Sequence, residues 1–404
     1  MLNKQRLLTP GPTELAPQVK SALGRDMIHH RKQPFQEIMH RIQPELGRLF
    51  GTEQPVMPLA CSGTGAMQAA VSNLFRHGDK VLVAKAGKFG QRWEDIARSQ
   101  GLEVETLAYS WGEAISPEDI GDRLREQPDI VGVLIQASET STGVLHPVED
   151  ISRITRESQA LLVVDGISAV GISPCPMDRW GIDCLITGSQ KGLKLPPGLA
   201  LISLSQSAWG RAEEVHTNCF YFNLTKERDK VREGQTQFTT PVNLIYGLEA
   251  ALELFKETGL ERIHRKQWAL PQMARSGVRA MGLRPFVPEH YTWGLTSLLL
   301  PEGVDGKALL DRIATEYGVY MAGGQEHLKG HLVRIGHMGY LDWSDLLAGL
   351  FALREVLSRE VELSAEPDFL EQAMEAYNRA WHAPLPHIEG GEEWQETTRA
   401  GEKV

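Results

Sequence analysis

A strand that ends in a carboxylate is indicated by the run Leu161-Leu162-Val163-Val164-Asp165-Gly166-Ile167-Ser168. Four consecutive apolar residues without polar alternation are typical of a strand buried on both faces, as in a parallel sheet. The carboxyl ends of such strands border the ligand-binding crevice of α/β proteins. Asp165 therefore stands where a functional carboxylate is placed, although an aspartate that simply forms a turn is also common there.

Further apolar runs lie on both sides of this strand, with helical periodicity between them. We predict buried strands at residues 80–84, 130–136, 184–187 and 199–204. Apolar residues recur at helical spacing in residues 35–50, 67–76, 90–99, 117–126 and 147–158. Strands that alternate with helices in this way predict an α/β fold whose mostly parallel sheet is covered on both faces.

The rest of the chain predicts a smaller α+β domain and a polar end. Helical patterns at 242–256, 260–281, 307–317 and 343–358 accompany two strands at 296–300 and 332–335. We divide the chain into an N-terminal arm (1–20), a large domain (21–260), a small C-terminal domain (261–362) and a polar, acidic C-terminal extension (363–404). The arm contains Leu7-Leu8-Thr9-Pro10-Gly11-Pro12-Thr13, which is rich in turn formers and predicts neither a helix nor a strand.

Composition excludes several classes of protein. A net charge of −10 argues against a nucleic-acid-binding protein, which needs a concentrated basic surface. The four cysteines are dispersed without a CxxC pair, so we predict neither a disulfide framework nor a metal site. No apolar run approaches the ~20 residues of a membrane span, and residues 1–6 lack the apolar stretch of a signal peptide. We expect a soluble, cytoplasmic protein.

Two further segments are candidates for binding a ligand. Ser62-Gly63-Thr64-Gly65-Ala66 precedes a predicted helix, and small residues there leave backbone N–H groups free for an anion such as phosphate. A tight turn with a helix cap explains the same residues equally well. Thr187-Gly188-Ser189-Gln190-Lys191-Gly192 follows another buried strand, where a lysine is usually solvated. A lysine desolvated in a pocket instead has a lowered pKa and forms a Schiff base with an aldehyde.

These three patterns occur along the chain in the order that a pyridoxal-phosphate (PLP) site requires. The carboxylate of Asp165 would keep a pyridine nitrogen protonated, so that the ring can accept electrons. Lys191 would bind the aldehyde, and residues 62–65 would bind the phosphate. The combination predicts a PLP-dependent enzyme.

The chain resembles the class V aminotransferases of PLP fold type I, in the branch of alanine–glyoxylate and serine–glyoxylate (or serine–pyruvate) aminotransferases. It also resembles bacterial sequences labelled as small subunits of a soluble hydrogenase. The resemblance runs from residue 7 to near residue 360, and it implies a large domain with a mostly parallel, seven-stranded type of sheet. It rests on the motifs Ser62-Gly63-Thr64-Gly65, Gly87-Lys88-Phe89-Gly90-Gln91-Arg92-Trp93, Glu139-Thr140-Ser141-Thr142-Gly143, Asp165-Gly166-Ile167-Ser168, Gly188-Ser189-Gln190-Lys191 and Arg334-Ile335-Gly336-His337-Met338-Gly339.

The resemblance implies a role for each cofactor-binding residue. Lys191 would hold PLP covalently and move the proton between the substrate Cα and the cofactor, while Asp165 would pair with the pyridinium nitrogen. Phe89 would stack on one face of the ring and Ile167 would pack against the other. Thr140 would place a hydroxyl near the phenolic oxygen. The phosphate would be bound by Ser62, Gly63, Thr64, Gly65 and Gln190.

The resemblance also implies how the substrate and a second subunit are placed. Arg334 would bind the substrate α-carboxylate, since a guanidinium offers two parallel N–H groups; a surface ion pair is the alternative. Gly11 and Pro12 would help to close the substrate pocket. The segment Gln235-Thr236-Gln237-Phe238-Thr239-Thr240-Pro241 resembles the loop that a neighbouring subunit sends to the phosphate, with Thr239 as the donor. A homodimer with shared active sites is implied.

Transamination by a ping-pong mechanism is the activity that the resemblance implies. One carboxylate-binding arginine favours a small donor, alanine or serine, with glyoxylate or pyruvate as the small 2-oxo acid. Another amine, such as ureidoglycine, aspartate or an aminophosphonate, stays open as the substrate, with His29-His30-Arg31 either a further anion contact or a solvated turn. A non-catalytic subunit of a redox complex is the other alternative, although the dispersed cysteines offer no iron–sulfur spacing.

Overall fold

The computed structural model describes residues 4–386. In chain order its elements are β1 (Arg6–Leu8), α1 (Pro17–Leu23), α2 (Gln33–Phe50), β2 (Met57–Leu59), α3 (Gly63–Leu74), β3 (Lys80–Lys85), α4 (Lys88–Ser99), β4 (Glu103–Ala108), α5 (Pro117–Glu126), β5 (Ile130–Gln136), β6 (Ser138–Glu139), β7 (Val144–Leu145), α6 (Val148–Thr155), β8 (Leu161–Asp165), α7 (Met177–Trp180), β9 (Cys184–Gly188), β10 (Ala200–Leu204), α8 (Gln206–Val215), α9 (Leu224–Arg232), α10 (Val242–Thr258), α11 (Leu260–Ala280), β11 (Leu295–Leu299), α12 (Gly306–Tyr317), β12 (Val319–Gly323), β13 (Leu332–Gly336), α13 (Trp343–Leu357) and α14 (Phe369–His382).

A seven-stranded sheet forms the centre of the larger part of the chain, in the order β2-β10-β9-β8-β5-β3-β4. The pairs β3–β4, β3–β5, β5–β8 and β8–β9 are parallel, and β10 runs antiparallel to both of its neighbours. The predicted α/β fold with a mostly parallel sheet is confirmed. Because β8 lies between β5 and β9 in the sheet, its last residue, Asp165, stands in the middle of the carboxyl edge.

A second sheet of four strands has the order β1-β12-β13-β11. The sequence pattern predicted an arm without regular structure for the first residues, but Arg6–Leu8 form an edge strand parallel to Val319–Met321. The physical reason is that Leu8 is fully buried in the core beneath this sheet. The turn-rich residues that we expected follow the strand directly.

Helix α11 contributes residues to two hydrophobic cores. Ile263, near its start, belongs to the core of the large sheet, whereas Leu270 and Met273 belong to the core of the small sheet. Helix α14, which lies inside the predicted extension, buries Phe369 and Ala373 in that second core. The domain boundaries remain a proposal, and residues 387–404 of the extension lie outside the described residues.

The segment that follows β1 runs very close to the end of β13. A Cβ added to Gly336 would lie 2.3 Å from the carbonyl carbon and oxygen of Thr9. Gly339, at φ +90°, would place a Cβ 2.4 Å from that of Thr13. Glycine at both positions therefore allows the N-terminal segment to cross the small sheet on its way to the large one.

Replacing Gly336 by alanine is expected to push the N-terminal segment away and to destabilise the protein by about 1–3 kcal/mol, as overpacking does elsewhere. The free energy of unfolding in urea measures this effect. Gly210→Ala is the matched control, because Gly210 lies in α8 with nothing within 4 Å of its added Cβ. Alanine there should stabilise the helix, and an equal loss at both positions would contradict the close approach.

Candidate active site

Lys191 and Asp165 meet at the carboxyl edge of the large sheet. They follow or end the adjacent parallel strands β9 and β8, and their exposed fractions are 8% and 4%. The ammonium group of Lys191 donates a hydrogen bond to the carbonyl oxygen of Pro10. One carboxylate oxygen of Asp165 accepts from the backbone N–H of Ile167 at 2.8 Å. The two predicted catalytic residues are thus brought together in a buried site.

Burial shifts the pKa of both groups toward the middle of the pH range. Desolvation lowers the pKa of Lys191 to about 8; the charge of Asp165 opposes this shift, and Arg334 and Arg92 add to it. Desolvation raises the pKa of Asp165 to about 6, against the hydrogen bond from Ile167. Near pH 7 a neutral amine is therefore accessible at Lys191 while Asp165 stays mostly ionised.

The first turn of α3 faces Lys191 and Asp165. Its backbone N–H donors are not occupied by the side chain of the N-cap residue. Ser62 is the N-cap residue, and its side chain makes no capping hydrogen bond within residues 4–386. Arg92 donates to the Thr64 hydroxyl at 3.0 Å. A Cβ on Gly63 would lie 2.2 Å from Cδ1 of Ile167, so the helix start packs directly on the strand end that carries Asp165. Such a helix N-terminus suits an anion.

Phe89 is held in place from two sides. It is half-buried at the start of α4, and the guanidinium carbon of Arg92 lies 4.7 Å from its ring centroid. Its backbone N–H donates to Glu139 at 3.0 Å. Arg92 thus bridges the predicted phosphate-binding turn and the predicted stacking ring, a role that was not foreseen although the residue lies in a recognised motif.

Glu139 is the main site residue that sequence reasoning missed. It is fully buried and accepts hydrogen bonds from the N–H groups of Phe89, Gly90 and Ser141, and from the Ser141 hydroxyl. Burial raises the pKa of its carboxyl group, and those four donors oppose the rise. A carboxylate that receives the first N–H groups of α4 fixes the position of this helix, and with it the ring of Phe89.

Arg334 lies at the same site, buried on β13. It donates from Nη1 to the carbonyl oxygen of Thr140 at 2.9 Å and from Nε to that of Gly323 at 2.9 Å. Desolvation lowers the pKa of Arg334 to about 10, which leaves it protonated at pH 7. The Thr140 hydroxyl lies 2.8 Å from that of Ser168. A surface ion pair does not describe this arginine.

The remaining predicted residues fall into two groups. Gly11 lies on Lys191, since its added Cβ would be 2.7 Å from Cδ, and the adjacent Pro12 accepts a hydrogen bond from Thr9. Gln190 is half-buried beside Gly188. Thr239 stands apart: it is exposed and lines a small surface pocket with Ala60 and Phe222. Neither Lys191 nor Asp165 lines that pocket.

The described part of the chain contains neither a metal-binding cluster nor a membrane-spanning helix. Among residues 4–386, no group of three histidine, cysteine, aspartate or glutamate side chains could hold a metal ion. No described helix is long and apolar enough to cross a membrane.

A buried lysine and a buried carboxylate at the ends of adjacent parallel strands, facing a free helix N-terminus, define the class of PLP-dependent enzymes of fold type I. The sequence model of the class V aminotransferases (Aminotransferase class-V) matches residues 14–341. The chain belongs to this family, and it is an aminotransferase.

Individual relatives agree with the family. The chain is 37% identical to a protein of Synechococcus sp. named the small subunit of a soluble hydrogenase, over 89% of this chain and 94% of that one. An aspartate aminotransferase of subgroup IV from Thermus thermophilus is 34% identical, with a TM-score of 0.82 over 88% of this chain and 100% of that one. An alanine–glyoxylate aminotransferase from Nostoc sp. is 31% identical, with a TM-score of 0.85 over 88% and 96%.

Proposed function

We propose that the protein transfers an amino group from a small amino acid, alanine or serine, to a small 2-oxo acid, glyoxylate or pyruvate, by a ping-pong mechanism. The observation that carries this proposal is the buried constellation of Lys191, Asp165 and Arg334. The family covers most of the chain, so the redox-subunit alternative is not proposed.

The residues present fit PLP. Lys191 and Asp165 are both buried, and only one carboxylate oxygen of Asp165 accepts a hydrogen bond among the described residues, so the other has capacity for a ligand. Ser62 leaves donors of α3 free for the phosphate. Phe89 and Ile167 supply apolar surface for the ring. When bound, PLP supplies an aldehyde and an electron-accepting ring.

The protein's own groups perform three tasks. Lys191, as a neutral amine, would take the proton from the substrate Cα and deliver it to the cofactor carbon. Asp165, as a carboxylate, would keep a proton on the ring nitrogen. Arg334 would orient the substrate by its carboxylate, and its own hydrogen bonds to Thr140 and Gly323 would hold the guanidinium in plane.

The size of the donor is proposed from the charges at the site. Arg334 is the arginine predicted to bind the substrate carboxylate, whereas Arg92 contacts Thr64 of the predicted phosphate-binding turn and the ring of Phe89. One carboxylate is therefore bound and a small side chain is favoured. Aspartate is the second candidate donor, because the similar Thermus thermophilus protein is named an aspartate aminotransferase.

The visible absorbance spectrum of the purified protein tests this function. We expect a yellow band that disappears on addition of alanine or serine and returns with glyoxylate or pyruvate. A band that responds to aspartate or ureidoglycine instead would keep the family and change the donor. If no band forms even after PLP is added, the assignment of Lys191 is wrong.

A second copy of the chain is part of the proposal. Thr239 is exposed and lines a pocket that does not include Lys191, and the aromatic residues beside its loop are exposed: Phe220 by 78% and Tyr221 by 47%. Met27, exposed by 64%, is a further large apolar residue at the surface. Exposed apolar surface of this kind favours a protein interface. We propose a homodimer in which Thr239 of each subunit binds the cofactor phosphate of the other.

The pH dependence of cofactor uptake follows from the lowered pKa of Lys191. At pH 7.5 a lysine of pKa about 8 is roughly one-quarter neutral, whereas an ordinary lysine is neutral in about one molecule in a thousand. We expect the rate at which cofactor-free protein takes up PLP to rise through about pH 8 and to level off above about pH 9. Stopped-flow absorbance measures this rate. A rate that keeps climbing to pH 10 would show an unperturbed lysine.

Replacing Arg334 by lysine is expected to raise KM for the amino donor about 100-fold, with a smaller effect on kcat, because an ammonium group lacks the planar fork. Steady-state kinetics with alanine measures both constants. Arg359→Lys is the control, since Arg359 is exposed and bonds Glu316. An unchanged KM in the Arg334 variant would remove this residue from substrate binding.

A further inference from the structure

The turn before helix α2 is tied to the loop that carries Thr239. The guanidinium of Arg31 donates to three oxygens of that loop: Oε1 of Gln235 at 3.0 Å, the carbonyl oxygen of Thr236, and that of Gln237 at 2.9 Å. Some 200 residues of sequence separate the two segments. Arg31 is half-buried in this turn, and two of its three hydrogen bonds go to the backbone of the loop.

A buried carboxyl group holds the same loop from the other side. Glu227, on α9, is 6% exposed, and its Oε2 accepts from the backbone N–H of Gln237 at 2.9 Å. Burial raises the pKa of Glu227 to about 7, and the hydrogen bond from Gln237 and the charge of Arg31 oppose the rise. Gln237 is thus bound at its carbonyl oxygen by Arg31 and at its N–H by Glu227.

The loop is also closed by its own contacts up to Phe238. The Thr236 hydroxyl donates to the carbonyl oxygen of Phe238 at 2.7 Å. The Phe238 ring stacks on Tyr221, with centroids 5.0 Å apart and an interplanar angle of 1°. Thr239, the next residue, is exposed, and Thr240 is buried. Residues 235–238 are therefore fixed while the side chain of Thr239 is presented to the outside.

We propose that Arg31 and Glu227 are positioning residues that set the loop of one subunit for the cofactor phosphate of the other. This inference rests on the proposed function and on the proposed dimer. Neither side chain needs to touch the phosphate, because each acts through the backbone of residues 236–237. The affinity of one site for PLP then depends on an arginine of the opposite subunit.

The rate at which the holoenzyme releases PLP tests the proposal, followed by loss of visible absorbance under repeated buffer exchange. We expect Arg31→Gln to release PLP about tenfold faster, since the charge-assisted contact of Thr239 is misplaced. Arg31→Lys should restore part of the retention. Arg41→Gln is the matched control, because Arg41 lies on α2 but pairs with Glu249, which is outside the loop. Equal release from wild type and from Arg31→Gln would overturn the proposal.

A double-mutant cycle separates positioning from loss of folding. Thr239→Ala should itself release PLP faster, and Arg31→Gln should add nothing in that background if Arg31 acts through Thr239. Glu227→Gln keeps an acceptor for the N–H of Gln237 and should have a smaller effect than Arg31→Gln. Additive effects of Arg31→Gln and Thr239→Ala would overturn the proposal, because general destabilisation would then be the cause.

Mixed dimers of two differently tagged chains test the action across the interface. In the first dimer, one chain carries Lys191→Ala and the other carries Arg31→Gln. The chain with the intact Lys191 then receives the loop of the chain that keeps Arg31, so we expect release at the wild-type rate. When both substitutions are on one chain and the other is wild type, the intact Lys191 receives the altered loop, so we expect about tenfold faster release. The reverse order, or no difference between the two dimers, overturns the proposal.

The outcome also distinguishes this inference from the proposed function. A wild-type protein that forms no visible band with PLP overturns both. A wild-type protein that retains PLP, together with an Arg31→Gln variant that retains it equally well, overturns the positioning role and leaves the aminotransferase function intact.

Discussion

Replacement of Lys191 by alanine should lower kcat for transamination by about 10⁴-fold, the upper range for loss of one acid–base group. The reason is that the variant loses both the amine that holds the cofactor and the base that moves the Cα proton. The measurement is the steady-state rate with alanine and glyoxylate at saturating PLP. The visible band of the variant should also differ from that of the wild-type protein, since the covalent bond to Lys191 is gone.

Lys194→Gln is the matched control for this variant. Lys194 lies three residues further along the chain, over the ring of Phe255, and burial lowers its pKa to about 8 as well. A lowered pKa alone should not make Lys194 catalytic, so the kcat of the Lys194→Gln variant should stay near that of the wild type. If Lys191→Ala retained a tenth of the activity, or if Lys194→Gln lost as much, the assignment of the catalytic lysine would be wrong.

Replacement of Asp165 by asparagine should lower kcat by about 10³-fold while PLP remains bound, as expected for loss of one preorganised charge. Asparagine keeps the shape of the side chain and the room around it. It loses the negative charge, which at pH 7 is present in most molecules because the pKa is about 6. Rates and absorbance spectra of the holoenzyme measure the two effects separately.

Asp183→Asn is the control for this second variant. Asp183 precedes β9 at the opposite end of the sheet, where it accepts from the N–H of Leu162 at 2.9 Å and from the Ser205 hydroxyl at 2.7 Å. Burial raises its pKa too. We expect lower stability with an unchanged kcat. Similar losses of kcat in both variants would place the effect in the sheet and not in the chemistry.

Much of the fold could be predicted because buried parallel strands leave an unambiguous pattern. The bounds of β5 and β8 agree with those predicted from their continuous apolar runs. Strand β4 was missed because our prediction relied on continuous apolar runs, whereas this edge strand alternates polar with apolar residues, as in Glu103-Val104-Glu105. The antiparallel direction of β10 was also not predictable, because an apolar run carries no information about strand direction.

The candidate site also contains residues that could be predicted from the sequence and residues that could not. Asp165 and Lys191 could be predicted because each follows an apolar strand, so that local sequence and position in the sheet coincide. Glu139 could not, since its donors Phe89 and Gly90 lie about fifty residues earlier and nothing local marks that contact. The hydrogen bond from Lys191 to Pro10 spans 181 residues and was equally invisible.

The edge strand at the start of the chain has a consequence for how the protein is made. Residues 6–8 leave the ribosome before the other described strands, yet their partners, residues 319–321, are synthesised more than 300 residues later. The large sheet, whose strands end at Leu204, is complete well before that point. Since domains form as the nascent chain emerges, we expect the sheet that presents Lys191 to assemble while the N-terminal strand has no pairing partner. We therefore expect the contact of Pro10 with that lysine to become stable only after residues 319–321 have paired with the N-terminal strand.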